Sequence, residues 1–68
     1  MKIINLDKLG REELVDSYVV SVLLGISRRT VQDMASRREL PVYKIGRAVR
    51  FKVGEILDWR EERKVGAV

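Results

Sequence analysis

The chain contains two closely spaced helix-start signals with one helix-stop signal between them, and no other feature restricts its fold as strongly. Asp16 and Ser27 are both good N-cap residues, because a side-chain oxygen at that position can accept from the backbone N–H groups of the first helical turn. Gly25 readily takes the left-handed conformation that ends many helices. Apolar residues also follow Asp16 at the helical spacing i, i+3, i+4: Val20, Leu23 and Leu24. The pattern predicts a helix over residues 17–24, a tight corner, and a second helix over residues 28–37.

The second predicted helix is amphipathic and mainly basic on its outer face. Val31, Met34 and Ala35 lie on one side, where they can pack inward. Arginine can pair with guanine and glutamine with adenine, so this helix is a candidate reader of the DNA major groove. The candidate contact residues are Ser27, Arg28, Arg29, Thr30, Gln32, Asp33, Ser36 and Arg37.

Three of these candidates have an alternative role. Asp33 could accept from cytosine or form a salt bridge with Arg29 or Arg37. The hydroxyls of Thr30 and Ser36 could bond phosphates, although Thr30 could instead turn inward and pack.

A β-hairpin with a basic tip follows, because Pro41 ends the helical pattern and the strand-forming residues 42–45 and 49–52 flank Gly46. We expect the hairpin to bring Lys44, Arg47 and Arg50 close together, with Gly46 letting the backbone approach a sugar-phosphate wall. In the alternative, Lys44 and Arg50 are edge-strand charges that prevent sheet aggregation.

A third helix is predicted over residues 53–63, and it carries the residue that we expect to be the largest in the core, Trp59. We divide the chain into an N-terminal arm (1–13), a DNA-binding domain (14–63) and a C-terminal tail (64–68). The arm is equally compatible with an extended segment packed on the domain and with a frayed end.

The charge is concentrated in the middle of the chain. Residues 27–52 carry a net charge of +6, the segments on either side carry −1 each, and the whole chain carries +4. A basic centre between near-neutral flanks is typical of a polyanion-binding surface, although a merely solvated face is the alternative.

The composition excludes several classes of function. The sequence contains no cysteine and no histidine, so it offers no disulfide, no thiolate metal site and no nucleophile–base pair built on those residues. We therefore expect no catalytic residues, no metal, no cofactor and no enzymatic activity. The apolar runs are far too short to span a membrane, so we expect a cytoplasmic protein with no membrane partner.

Four segments carry a family resemblance, and they occur in order at the spacing that the family shows. They are the leucine-glycine corner with Ser-Arg-Arg-Thr-Val (23–31), the Leu-Pro turn with Lys-Ile-Gly-Arg (40–47), the Arg-Phe pair (50–51) and Glu-Ile-Leu-Asp-Trp (55–59). On these residues, about two thirds of the chain from Leu14 to Trp59 resembles the excisionase-like, MerR-related winged-helix domains.

The resemblance implies a mainly α fold with a small β-hairpin, a winged helix-turn-helix of three helices and a two-stranded wing. It implies that the second helix reads the major groove while Gly46 and Arg47 of the wing reach the adjacent minor groove or its phosphates. The positions that match the family's DNA contacts are Arg28, Arg29, Gln32, Lys44, Arg47 and Arg50.

Three features depart from the family pattern. Arg38 stands where these domains usually have glycine, so the exit from the second helix either places arginine in a left-handed conformation, at about 1 kcal/mol, or follows another path. Val19 and Val22 stand where the family usually has charged residues, which predicts an apolar surface for a protein contact. No good N-cap precedes the third helix, and Gly54 adds flexibility there.

The resemblance favours the function of an excisionase, a recombination directionality factor that bends attachment-site DNA and assists an integrase. It also implies a protein that is associated with a bacterial nucleoid or encoded by a phage. A small transcriptional regulator using the same surface is the close alternative. A protein-interaction module or antirepressor acting through Val19 and Val22 is the alternative from another class. The partners expected are double-stranded DNA, an integrase or recombinase, and further copies of the chain arranged head-to-tail on DNA, with a monomer in solution or, alternatively, a stable dimer.

Overall fold

The computed structural model describes residues 9–65, and the predicted three helices and hairpin are all present. The elements in chain order are β1 (Leu14–Val15), α1 (Ser17–Leu24), α2 (Arg28–Ser36), β2 (Tyr43–Ile45), β3 (Ala48–Lys52) and α3 (Val53–Glu62). Helices α2 and α3 each end one residue earlier than the sequence predicts, because Arg37 and Arg63 take the C-cap positions. No helix in this described part of the chain is long and apolar enough to cross a membrane.

The helix-turn-helix corner is built by the residues that the sequence indicated. The carboxylate of Asp16 accepts from the backbone N–H of Val19 at 3.1 Å and caps α1. Gly25 ends this helix in the left-handed region, with φ of 68°. The hydroxyl of Ser27 accepts from the backbone N–H of Thr30 at 3.1 Å and starts α2. Local capping therefore determines where both helices begin and how sharply the chain turns between them.

Strands β2 and β3 form the predicted two-stranded wing, and β1 adds a third strand to the sheet, in the order β1-β3-β2. The additional strand, β1, pairs antiparallel with β3, so that Val15 lies opposite Phe51. Just before it, the carbonyls of Arg11 and Glu13 accept from the backbone N–H groups of Gly54 and Val53, at 2.8 and 3.0 Å. These bonds occupy the first two N–H groups of α3, which has no side-chain N-cap.

The described end of the predicted arm, residues 9–13, thus packs against the domain, and Leu9 contacts the core. Residues 1–8 of that arm and residues 66–68 of the predicted tail lie outside the described residues.

The core lies between the three helices and the inner face of the sheet. Its largest fully buried side chain is Phe51, and the others in the buried cluster are Val15, Val19, Val20, Val31, Leu40, Val53 and Ile56. Trp59 is only partly buried, so the prediction that it is the largest core residue is wrong. Its indole N–H donates to the carbonyl of Glu39 at 2.9 Å, and the guanidinium of Arg63 stacks 3.8 Å from its ring. The amphipathic indole therefore covers the edge of the core.

The predicted apolar surface on α1 needs a correction. Val19 is 7% exposed and belongs to the core, whereas Val22 is 43% exposed. Val19 is buried because α1 contacts α3 and β3 as well as α2, so more than one side of the helix is covered. Val19 is therefore not available to a protein partner, and only Val22 of the predicted pair lies at the surface.

The exit from α2 follows the first of the two predicted paths. Arg38 takes the left-handed conformation with φ of 59°, and among the described residues other than glycine it is alone in having a positive φ. The conformation lets the N–H of Glu39 donate to the carbonyl of Met34 at 2.8 Å, which closes the last turn of α2.

Candidate nucleic-acid interface

The outer face of α2 presents its arginines to solvent, and α1 holds two of its side chains in place. Arg29 has an 88% exposed side chain and lies 3.9 Å from the carboxylate of Asp33, one turn further along. The guanidinium of Arg28 donates to the hydroxyl of Ser17 at 3.0 Å, and the amide of Gln32 donates to the same hydroxyl at 3.5 Å. Ser17 at the start of α1 therefore orients two of the predicted base-reading side chains.

Several predicted contact residues have structural partners. The hydroxyls of Ser27 and Thr30 lie 2.8 Å apart and belong to the N-cap of α2, so Thr30 does not turn inward. Ser36 donates to the carbonyl of Asp33 at 2.9 Å. Arg37 pairs with Glu39, and the salt-bridge alternative for Asp33 is realised with Arg29. The ion pair with Glu39 reduces the contribution of Arg37 to the positive potential of the surface. The ion pair of Arg29 with Asp33 is long and exposed to solvent, and is therefore weak.

The hairpin register separates two residues that the sequence placed together. Lys44 pairs with Val49, and Tyr43 pairs with Arg50. Because side chains alternate along a strand, Lys44 lies on the face that contains Phe51 and points towards α2, whereas Arg50 starts from the opposite face. The guanidinium of Arg50 donates to the carbonyl of Val49 at 2.9 Å. The expectation that Arg50 and Lys44 come close together is therefore wrong.

The tip of the hairpin has the predicted form. Gly46 occupies the left-handed region with φ of 62°, as a tight hairpin turn requires, and a side chain there would meet no other atom within 4 Å. Arg47 follows it as an exposed side chain. The tip thus combines an uncovered backbone with an exposed guanidinium.

A groove runs between α2 and the hairpin, and its polar lining residues come from α1, α2, the turn after α2 and β2. Phe51 and Val49 form part of its apolar wall, and its polar lining residues are Ser17, Gln32, Ser36, Arg38 and Lys44. Sequence reasoning missed Ser17 and Arg38 as site residues. The position of Arg38 directly after the recognition helix was visible in the sequence, but its side-chain direction depends on a backbone conformation that the sequence left open.

The charge distribution distinguishes this surface from the rest of the described chain. Three of the five basic residues outside it have acidic partners: Arg11 with Asp58 at 2.8 Å, Lys52 with Glu12 at 3.3 Å and Arg60 with Glu61 at 3.7 Å. In residues 9–65, the basic side chains without an ion pair are Arg28 on α2, Arg38 in the turn after it, Lys44, Arg47 and Arg50 on the hairpin, and Arg63 and Lys64 after α3. The unneutralised positive charge is thus concentrated on α2, the hairpin and the groove between them.

Lys52 has a structural role on the outer face of the sheet. Its ammonium lies 5.3 Å from the centre of the Tyr43 ring. Hydrogen bonding to Tyr43 and, next, to Glu12 raises the pKa of Lys52 above its usual value. The Tyr43 hydroxyl in turn donates to Glu55 of α3 at 3.2 Å. These contacts tie the hairpin to α3 and to the segment before β1.

Comparison with known proteins supports the same reading of the fold. A family model described as a helix-turn-helix domain matches residues 20–64, from α1 to just past α3, which is about two thirds of the chain. A search of curated proteins finds no match. The matched region contains α2, the hairpin and α3, so the three helices and small antiparallel sheet form a winged helix-turn-helix. The chain belongs to the helix-turn-helix family and is a small DNA-binding domain of that family.

Proposed function

We propose that this protein binds duplex DNA sequence-selectively, with α2 in the major groove and the hairpin against the neighbouring sugar-phosphate backbone. One observation carries the proposal: among the described residues, most basic side chains without an ion pair lie on α2, in the turn after it or on the hairpin, whereas three of the five elsewhere are neutralised. A surface of this kind attracts a polyanion and releases its counterions on binding.

The residues of α2 have separable roles in this proposal. Arg29 has an 88% exposed side chain and reads a base edge, giving up its weak pair with Asp33. Gln32 and Arg28 are oriented by Ser17, which lowers the entropy that they lose on contact. Ser27 contributes by building the helix start and not by reading a base.

The hairpin supplies contacts that position the protein without reading sequence. Arg47 at its tip bonds phosphate or enters the minor groove, and Gly46 allows the backbone to come close. Arg50 lies on the opposite face of the hairpin from Lys44, so it can reach DNA only from the face of the wing that points away from α2.

The biological role that we propose is that of an excisionase-like architectural protein. Copies bind head-to-tail at repeated sites, bend the DNA and assist an integrase, and the protein has no catalytic activity of its own. The resemblance of residues 14–59 to excisionase-like domains supports this role, as does the small size of the helix-and-wing surface. A single such surface buries little area, so adjacent copies increase the affinity.

A mobility-shift titration tests the DNA-binding proposal. We expect laddered, salt-sensitive shifts on DNA from the protein's own locus, with weaker binding to random duplex. Arg29→Ala should weaken specific binding by about 1–3 kcal/mol and relax the sequence preference, because it removes a base contact. Arg47→Ala should weaken binding to both DNAs alike, because it removes a phosphate contact.

Lys64→Ala is the matched control, since it also removes one exposed positive charge but lies beyond the end of α3. It should bind like the wild type. The absence of any shift at low salt would sink the proposal. An excision assay with the cognate integrase then tests the architectural role: excision that proceeds equally without the protein would leave transcriptional regulation as the function of the same surface.

A further inference from the structure

We propose that Arg38 is an additional DNA-binding residue, which joins Lys44 in holding a backbone phosphate in the groove between α2 and the hairpin. This inference rests on the proposed DNA-binding function and deepens it, because it identifies what the groove binds. The evidence comes from the backbone at Arg38, the lining of the groove and the position of the groove.

The backbone conformation of Arg38 suits glycine better than arginine. Its φ of 59° lies in the left-handed region, where the side chain of an L residue other than glycine, asparagine or aspartate is crowded. The helix end needs this conformation, because it allows the Glu39 N–H to reach the carbonyl of Met34. Stability alone therefore gives no reason for an arginine here, and the cost suggests a function for its side chain.

The side chain of Arg38 has no polar partner in the described part of the chain. Within residues 9–65 it has no ion pair and donates no side-chain hydrogen bond, and the residue is exposed. Its neighbour Arg37, by contrast, pairs with Glu39. The pairing leaves Arg38 as the free guanidinium at the end of α2.

The groove that Arg38 lines is suited to an anion. Lys44 lines it from the hairpin, and Ser17 and Gln32 add a hydroxyl and an amide group. Neither an aspartate nor a glutamate is among its lining residues. Two basic groups with neutral donors and no competing carboxylate favour a phosphate, and the planar guanidinium can hold two of its oxygens at once.

The position of the groove selects a DNA phosphate as the occupant. Helix α2 lies on one side and the hairpin, with Arg47 at its tip, on the other. When α2 enters a major groove and the hairpin contacts the next groove, the strand that separates the two grooves must cross between them. A phosphate of that strand therefore comes to Arg38 and Lys44.

The test compares Arg38→Gly with the wild type in two measurements. The first is the affinity for duplex DNA at several salt concentrations, and the second is the melting temperature without DNA. We expect Arg38→Gly to bind roughly tenfold more weakly at low salt, with the slope of log affinity against log salt shallower by about 0.9, the value for one phosphate contact. The preference for the specific site should be unchanged, because phosphate contacts carry no sequence information.

The melting temperature of Arg38→Gly should equal or exceed that of the wild type, since glycine relieves the left-handed strain. Arg38→Lys keeps the charge but cannot hold two phosphate oxygens at once, so it should keep the wild-type salt slope and bind with an affinity between those of the wild type and Arg38→Gly. Wild-type affinity and slope in Arg38→Gly would overturn the inference, and so would a lower melting temperature, which would show that the arginine serves the fold. Failure of the wild type to bind DNA is a separate result and would refute the proposed function itself.

Discussion

Gly54 shows how a single residue can be misread from the sequence. In the sequence it stands at the start of a helix without a side-chain N-cap, which suggests a weak and flexible beginning. In the structure it is buried, and a Cβ atom there would lie 3.0 Å from the backbone oxygen of Arg11. The same oxygen accepts from the Gly54 N–H at 2.8 Å. The glycine thus permits the close approach that supplies the missing cap from the backbone.

Gly54→Ala should therefore destabilise the protein by about 1 kcal/mol, although the same change in an ordinary helix is stabilising. The reason is that the new methyl group displaces residues 9–13 from the start of α3. Chemical denaturation measures the effect, and Gly10→Ala is the control, because a Cβ at that position meets nothing within 4 Å. A variant at least as stable as the wild type would mean that this segment can shift at no cost.

Ser17 and Arg38 show a different limit at the residue scale. Both line the groove, yet neither belongs to the predicted recognition surface. Ser17 reaches Arg28 and Gln32 only because α1 and α2 pack against each other, which a local pattern does not reveal. The direction of the Arg38 side chain follows from one backbone angle, for which the sequence allowed two outcomes.

At the scale of elements, those specified by neighbouring residues could be predicted from the sequence. The bounds of α1 and the start of α2 follow from Asp16, Gly25 and Ser27, whose capping interactions are local. The hairpin likewise follows from Gly46 between two strand-forming segments. Each of these elements carries its own signal within a few residues.

Elements and faces that depend on distant partners could not be predicted. Strand β1 has two residues, and its pairing with β3 joins parts of the chain far apart in sequence. The burial of Val19 depends on contacts of α1 with α3 and β3. The separation of Lys44 from Arg50 depends on the hairpin register, since a shift of one residue would reverse the faces.

The N-cap of α2 gives a prediction at this scale, because Ser27 was a candidate contact residue and the structure gives it a capping role. Ser27→Ala should lower the free energy of unfolding by about 1 kcal/mol, since the N–H of Thr30 loses its acceptor. Ser27→Asp should keep the stability, because aspartate caps equally well, but should weaken DNA binding by placing a negative charge beside Arg28. Thermal melting and mobility shifts separate the two effects. Equal loss of stability in both variants would contradict the capping role.

At the scale of the whole molecule, the acidic residues act mainly on the side of the fold that carries no proposed DNA contact. Glu12, Asp58 and Glu61 each neutralise a basic partner there. The net charge of +4 is therefore a poor measure of the field at the binding surface, which is set by the arginines and lysine that lack such partners. Four of the five unpaired basic residues on α2, the hairpin and the turn between them are arginines, whose planar guanidinium can hold two phosphate oxygens at once.

The charge composition predicts how the molecule responds to pH. With no histidine and no cysteine, no side chain of ordinary pKa titrates between about pH 6 and pH 9, so DNA affinity at constant ionic strength should be flat over that range.

Lys52 should make the stability of the protein depend on pH above this range. Hydrogen bonding to Tyr43 and then to Glu12 raises the pKa of Lys52 in the folded state above the usual 10.5. The contribution of Lys52 to stability is therefore complete below pH 10.5 and is lost as the pH rises through the folded-state pKa. Denaturation at pH 9 and pH 11 of the wild type and of Lys52→Arg, which stays charged, isolates this contribution. The wild type should lose more stability between the two pH values than the variant, and equal losses would show that the Lys52 contacts do not stabilise the folded protein.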